Sequence, residues 1–183
     1  MRLFLGIAIP DLQRNGLAGL QNRLPPGRAV PWDNFHLTLT FLGDASDRMV
    51  DELDLALNGM RLVSPEIRFS GLGQFGGANP RAVWAAVRPQ PELENLQRRL
   101  SNAARNVGFD VPNRRFIPHV TLTRFASDTV DSSAVARFIE GIGRFELPSF
   151  QPYALTLWRS HLRSDGPRYE ALLDYPVRPD QTT

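Results

Sequence analysis

Residues 36–40 read His-Leu-Thr-Leu-Thr, and residues 119–123 read His-Val-Thr-Leu-Thr. Four of the five positions are identical, and the two segments carry two of the three histidines in the chain. Both are β-prone runs, and in a strand the side chains of residues i and i+2 leave the same face. His36, Thr38 and Thr40 then share one face, opposite Leu37 and Leu39. His119, Thr121 and Thr123 likewise oppose Val120 and Leu122. A duplicated substructure repeats its apolar positions for packing, whereas packing gives no reason to repeat a polar pair. Each strand offers an imidazole beside a hydroxyl. If two related halves face one another, two histidines and two threonines converge.

Working outward, Arg2 to Ile9 predicts a strand closed by Pro10. Asp11 to Leu24 predicts a surface helix with Leu12, Leu17, Leu20 and Leu24 inward, broken by Pro25-Pro26-Gly27. His36 to Leu42 is a strand ended by Gly43-Asp44. Ser46 or Asp47 caps a helix running to Leu57, with Met49, Leu53 and Leu57 on one side. Glu66 to Phe75 and Ala82 to Val87 are two strands around the Gly77-Ala78-Asn79-Pro80 turn. Pro91 to Val107 is the clearest helix, with proline near its start, an apolar stripe and Gly108 at its end. Val120 to Phe125 predicts a strand and Asp131 to Ile139 a short helix. Arg144 to Phe150, Ala154 to Ser160 and Arg168 to Tyr175 predict three further strands, and Pro179 to Thr183 a frayed tail. Hairpins and connections too short for parallel crossovers point to an α+β fold with antiparallel sheets.

Composition narrows the function. With 183 residues, 42% of them apolar, folding buries roughly 70% of the extended chain's surface. One domain over residues 1–183 accounts for the length. The absence of cysteine excludes disulfides, thiolate metal sites and thiol nucleophiles, and fits a reducing, cytoplasmic compartment. No apolar run is long enough to span a membrane, and Met1 to Pro10 reads as a strand rather than a signal peptide. All 21 basic residues are arginine, so no lysine can act as base, Schiff-base partner or phosphate ligand; anions must be held by guanidinium forks, backbone N–H groups or hydroxyls. A net charge of +2 is too small for bulk nucleic-acid binding.

Two imidazoles on opposite sides of a phosphorus atom supply one general base and one general acid for in-line displacement. Threonine hydroxyls beside them donate to the non-bridging oxygens where charge accumulates. The two His-x-Thr-x tetrads, His36 to Leu39 and His119 to Leu122, resemble the signature of the two-histidine phosphoesterases. Within these the chain is similar to the bacterial RNA 2′,3′-cyclic phosphodiesterases, also called the 2′-5′ RNA ligase family. Asn34 to Gly43 resembles that family's first block, and Gly71 to Phe75 with Pro80 to Trp84 its central hairpin. Arg115 to Arg124 resembles its second block, and Ser160 with Gly166 to Tyr169 its closing hairpin.

The resemblance implies a pseudo-symmetric bilobal fold, with two antiparallel sheets facing a central cleft and helices packed outside. It implies metal-free, cofactor-free hydrolysis of an RNA 2′,3′-cyclic phosphate end to a 2′-phosphomonoester. His36 would be the proton donor to O3′, His119 the proton acceptor from water, and Thr38 and Thr121 the phosphate-binding residues. The partners implied are RNA 3′ ends, tRNA-derived ends among them, or small cyclic nucleotides, acted on by a monomer away from membranes. The same four residues would serve the reverse reaction, 2′-5′ ligation, or hydrolysis of a small cyclic nucleotide; a module that binds RNA ends without turnover would not need an acid and a base.

Arg124 follows His119 by five positions and faces away from it on an ideal strand, unless a bulge turns it to the cleft rim to stack on a base or contact phosphate. Phe35 and Trp32 are candidate stacking residues for a base, and Arg114 and Arg115 read as a solvated pair or as guanidinium groups that steer a nucleic-acid backbone. His161 has no threonine two residues on and reads as a surface histidine. Without cysteine or a His-Glu-x-x-His arrangement, no metal site is expected. No Gly-x-Ser-x-Gly elbow supports a serine hydrolase.

Overall fold

The computed structural model describes residues 1–126, 130–163 and 166–179. The elements run β1 (Arg2–Ala8), α1 (Asp11–Gln21), β2 (Arg28–Ala29), β3 (His36–Asp44), α2 (Asp47–Asn58), β4 (Phe69–Phe75), β5 (Ala82–Val87), α3 (Pro91–Val107), β6 (His119–Arg124), α4 (Ser132–Ile142), β7 (Ala154–Arg163) and β8 (Gly166–Pro176), with a 3₁₀ turn at Trp32–Asn34. They form two four-stranded sheets, ordered β3-β1-β7-β8 and β2-β6-β5-β4. Every strand pairing in both is antiparallel. The fold is α+β, as the hairpin pattern requires, and β3 and β6 meet where the two sheets face each other.

Local chemistry accounts for the helices. Ser46 caps α2 by accepting from the Met49 N–H, satisfying an N–H that has no partner within the helix. Pro91 opens α3, and Gly108 closes it in the left-handed conformation at φ 103°, which lacks the penalty a side chain would bring. The helices do not stay with the sheet they follow. After β1 of the first sheet, α1 packs on β6 of the second, and after β5 of the second sheet, α3 packs on β3 of the first. One apolar core therefore draws Leu5, Leu37 and Leu157 from one sheet together with Ala85, Val120 and Leu122 from the other. The exchange ties the two histidine strands to a common interior.

Several expectations need correction. The predicted strand at Arg144 to Phe150 is irregular chain, with a single bridge from Phe150 to Ile67. Pro148 has no N–H for a ladder, its carbonyl is taken by the Gln13 side chain at 2.8 Å, and Leu147 covers Gly16 of α1. Its alternation reflects packing on a helix, not pairing. In α1, Leu12 is 63% exposed while Gln13 is buried, because that amide is satisfied by the Pro148 carbonyl. The strand predicted from Glu66 begins at Phe69, and the two-residue β2 was not predicted. Residues 180–183 of the predicted tail lie outside the described residues.

The largest departure is in the two decisive segments. Strict alternation puts Thr40 beside Thr38 and Thr123 beside Thr121, yet Thr40 and Thr123 are both buried. Each strand carries a bulge at the leucine three residues after its histidine. On β3, Gly6 pairs with Thr38 and Leu5 with Thr40, leaving Leu39 without an opposite residue. On β6, Trp84 pairs with Thr121 and Val83 with Thr123, leaving Leu122 unopposed. An extra residue inverts the alternation beyond it. Thr40 and Thr123 turn inward, and Phe41 and Arg124 turn outward. Each inversion is serviced by the exchanged helix. Thr40 Oγ1 is 3.1 Å from Ser101 Oγ of α3, and the Leu122 carbonyl accepts from Gln21 of α1 at 2.6 Å.

Candidate active site

The 3₁₀ turn that ends at Asn34 delivers the chain into β3, and Pro118 delivers it into β6. Each entry places the carbonyl two residues before the histidine against its ring. His36 Nδ1 lies 2.7 Å from the Asn34 oxygen, and His119 Nδ1 lies 2.7 Å from the Ile117 oxygen. A carbonyl only accepts, so in both rings Nδ1 holds a proton and donates it. Nε2 is left as the nitrogen that takes up and releases the second proton. Thr38 and Thr121, two residues on and half-buried on the same faces, complete the repeated pair.

Aromatic rings hold each imidazole from the sides. Phe4, Tyr169 and Trp158 have ring centres 4.7, 4.9 and 5.8 Å from that of His36. Phe75 and Trp84 stand 4.9 and 5.6 Å from His119. The two indoles reach these places over glycines. A Cβ on Gly6 would lie 3.2 Å from the Trp158 ring and 2.5 Å from the Leu37 oxygen, and a Cβ on Gly73 would lie 2.2 Å from the Trp84 ring. In the first sheet the glycine is on the strand beside the histidine strand and the tryptophan one strand further. In the second sheet the order is reversed.

This environment sets the proton affinities. Burial pushes His36 down to about 4, against the partial support of the Asn34 carbonyl, with His119 and Arg124 adding repulsion. Burial likewise lowers His119, again with Arg124 contributing. Loss of hydration penalises the charged imidazolium more than the neutral ring. The charge of Arg124 also acts on Tyr169, so its field falls on both histidines and the tyrosine. The bulge at Leu122 turns this residue outward. A small hollow lined by Arg28, Arg124, Asn34 and Tyr169 joins the two sheets at this point.

Other candidates fall elsewhere. Phe35 is 1% exposed and packs in the core, so it offers no ring face to a base. Alternation fixes this, since Phe35 precedes His36 and points inward. Trp32 lies under the Arg14 guanidinium at 4.7 Å and donates to Asn15. Arg114 and Arg115 are exposed in irregular chain. His161 is hydrogen-bonded to Glu170 at 2.7 Å on the surface. Among the described residues, no three His, Asp or Glu side chains gather as metal ligands. The motif reading missed the rings around the histidines. Phe75, Trp84 and Tyr169 lay within the family blocks, but no spacing rule marked Phe4 or Trp158.

Comparison with known proteins shows the family. The profile of the 2′-5′ RNA ligase superfamily matches residues 10–163. The chain belongs to the 2′-5′ RNA ligase superfamily. Within it, the RNA 2′,3′-cyclic phosphodiesterase of Escherichia coli strain K12 is 36% identical over 136 residues, covering 70% of this chain and 74% of that one. The enzyme of the same description from Aeropyrum pernix is 30% identical over 151 residues, 81% of this chain and 85% of its own. In the crystal structure of E. coli LigT complexed with 3′-AMP, the superfamily fold superposes with a TM-score of 0.81 at 30% identity, over 96% of this chain and 97% of that one. Two facing antiparallel sheets with outer helices are thus the superfamily architecture. No helix among the described residues is long and apolar enough to cross a membrane.

Proposed function

We propose that this protein hydrolyses the 2′,3′-cyclic phosphate at an RNA 3′ end to a 2′-phosphomonoester without a metal ion. The observation that carries the reading is the duplicated imidazole, each pinned through Nδ1 to the carbonyl two residues before it and each followed two residues on by a half-buried threonine. Pinning fixes the tautomer and frees Nε2 for proton transfer, as acid–base catalysis requires. The nucleotide bound in the LigT crystal and the activity in the relatives' names support the substrate class.

In this reading His119 Nε2 removes a proton from water as its oxygen attacks phosphorus. The P–O3′ bond breaks in line, and His36 Nε2–H gives its proton to O3′. Thr38 and Thr121 donate to the non-bridging oxygens as charge builds there. Arg124 holds the phosphate or the adjoining base. The phosphate stays on O2′, and the two histidines exchange protonation states, restored through solvent.

The test is to incubate the protein with an oligoribonucleotide ending in a 2′,3′-cyclic phosphate and identify the product isomer. A 2′-phosphate, formed at an unchanged rate after dialysis against EDTA, is the expected result. A 3′-phosphate would exchange the acid and base assignments. Activity lost to EDTA and restored by zinc or magnesium would overturn the metal-free step.

A further inference from the structure

We propose that the cavity beside His36 receives the 3′-terminal nucleobase and favours guanine, through the carboxylates of Asp33 and Asp174 and the guanidinium of Arg14 that line it. This rests on the assignment of His36 as the acid at O3′. In an in-line displacement the leaving oxygen and the water lie on opposite sides of phosphorus. O3′ belongs to the ribose, so the nucleoside stands on the His36 side, against the β3-β1-β7-β8 sheet. A cavity of roughly 240 Å³ opens on that sheet, walled by Trp158 and Tyr169. It is smaller than the ~300–1,000 Å³ typical of drug-sized ligands, and suits one base rather than a dinucleotide.

Charge divides the cleft. Tyr169 and Asn34 line both this cavity and the hollow that holds Arg28 and Arg124. On one side of Tyr169 stand two guanidinium groups suited to phosphate. On the other, two carboxylates and one guanidinium disfavour the RNA backbone and suit a neutral base with donor groups. Asp174 is set in place: the buried Thr156 hydroxyl donates to its Oδ1 at 2.6 Å. That leaves most of the acceptor capacity of the carboxylate unspent. Asp33 and Asp174 are solvent-exposed, and Tyr153, 83% exposed, stands at the cavity rim.

Guanine presents N1–H and N2–H₂ as adjacent donors, which a carboxylate accepts together, and O6 and N7 as acceptors for an arginine. Adenine and cytosine offer one amino group each. Uracil sets its single N–H between two carbonyl oxygens, which repel a carboxylate. Single-stranded RNA ends are read in this way, by stacking on aromatic rings and hydrogen bonds to base edges.

The experiment compares kcat/KM for the four nucleoside 2′,3′-cyclic phosphates, and binding of 2′-GMP against 2′-UMP by calorimetry. Guanine should exceed uracil by about 10- to 100-fold, the effect of one or two charge-assisted hydrogen bonds. Asp174→Asn and Asp33→Asn should bring that ratio toward one. A ratio does not depend on the fraction of folded protein, so a poorly folding variant still reports. Equal turnover of all four substrates, or a preference unmoved in both variants, overturns the base pocket and leaves the reaction standing. Base-selective binding without turnover sustains the pocket and refutes the reaction.

Discussion

Binding of a phosphate anion should return a proton to His36. In the free protein burial holds this imidazole down to about 4, so at pH 7 about one molecule in a thousand carries the charged form an acid needs. In the proposed reaction the bound phosphodiester would supply what is missing. A phosphodiester anion about 4 Å from the ring, at an effective dielectric of about 20, attracts the imidazolium by ~4 kcal/mol. At 1.36 kcal/mol per pH unit this is about three units, enough to bring His36 back to about 7. The sign follows for the rate. As pH falls, neutral His119 is lost and activity declines; as pH rises, the proton on His36 is lost and activity declines again. Both imidazoles are lowered in the free protein, so the bell in kcat/KM should lie on the acid side of the unperturbed value of about 6.5. The bell in kcat, which reports the complex, should lie higher. The assay is an NMR titration of both histidine rings, free and saturated with a nucleoside 2′-monophosphate, beside the two pH–rate profiles. The apparent values belong to the coupled pair. A free His36 titrating at 6.5 or above, or one that does not move upward when the anion binds, would refute the reasoning.

His36→Ala and His119→Ala should each lower turnover by ~10²–10⁴. The double variant should lose less than the product of the two, since the pair acts as a unit; near-native turnover in either folded single variant would remove that histidine from the mechanism. Thr38→Ala and Thr121→Ala should each cost roughly 10–10³-fold in kcat, with serine better tolerated than alanine, and equal Ser and Ala rates would make the hydroxyls structural. Gly73→Ala should drive the Trp84 ring off its seat beside His119, since the new Cβ would lie 2.2 Å from it. The expected loss is ~1–3 kcal/mol of stability, seen as a lower midpoint in urea and altered tryptophan fluorescence. An unchanged midpoint and spectrum would mean that the ring shifts freely.

The sequence alone marked the candidate acid–base residues, because a histidine and a threonine repeated at positions i and i+2 of two β-prone runs answer to no packing demand. It also determined the antiparallel α+β class and most elements: α3 runs from Pro91 to Val107, as its proline, stripe and Gly108 predict. Local rules failed where partners far along the chain decide. Arg144 to Phe150 alternates like a strand but finds a helix to pack on, not a ladder. Bulges at Leu39 and Leu122 are set by pairing with β1 and β5, which no window of β3 or β6 contains. The inversions they cause bury Thr40 and Thr123 and turn Arg124 toward the histidines. Tertiary structure likewise decided which rings surround the imidazoles, since Phe4, Trp158 and Tyr169 come from three different strands to meet His36. Those rings exclude the water that would hydrate an imidazolium, so the proton affinity of each histidine, on which the proposed mechanism turns, is a property of the assembled cleft and not of the motif.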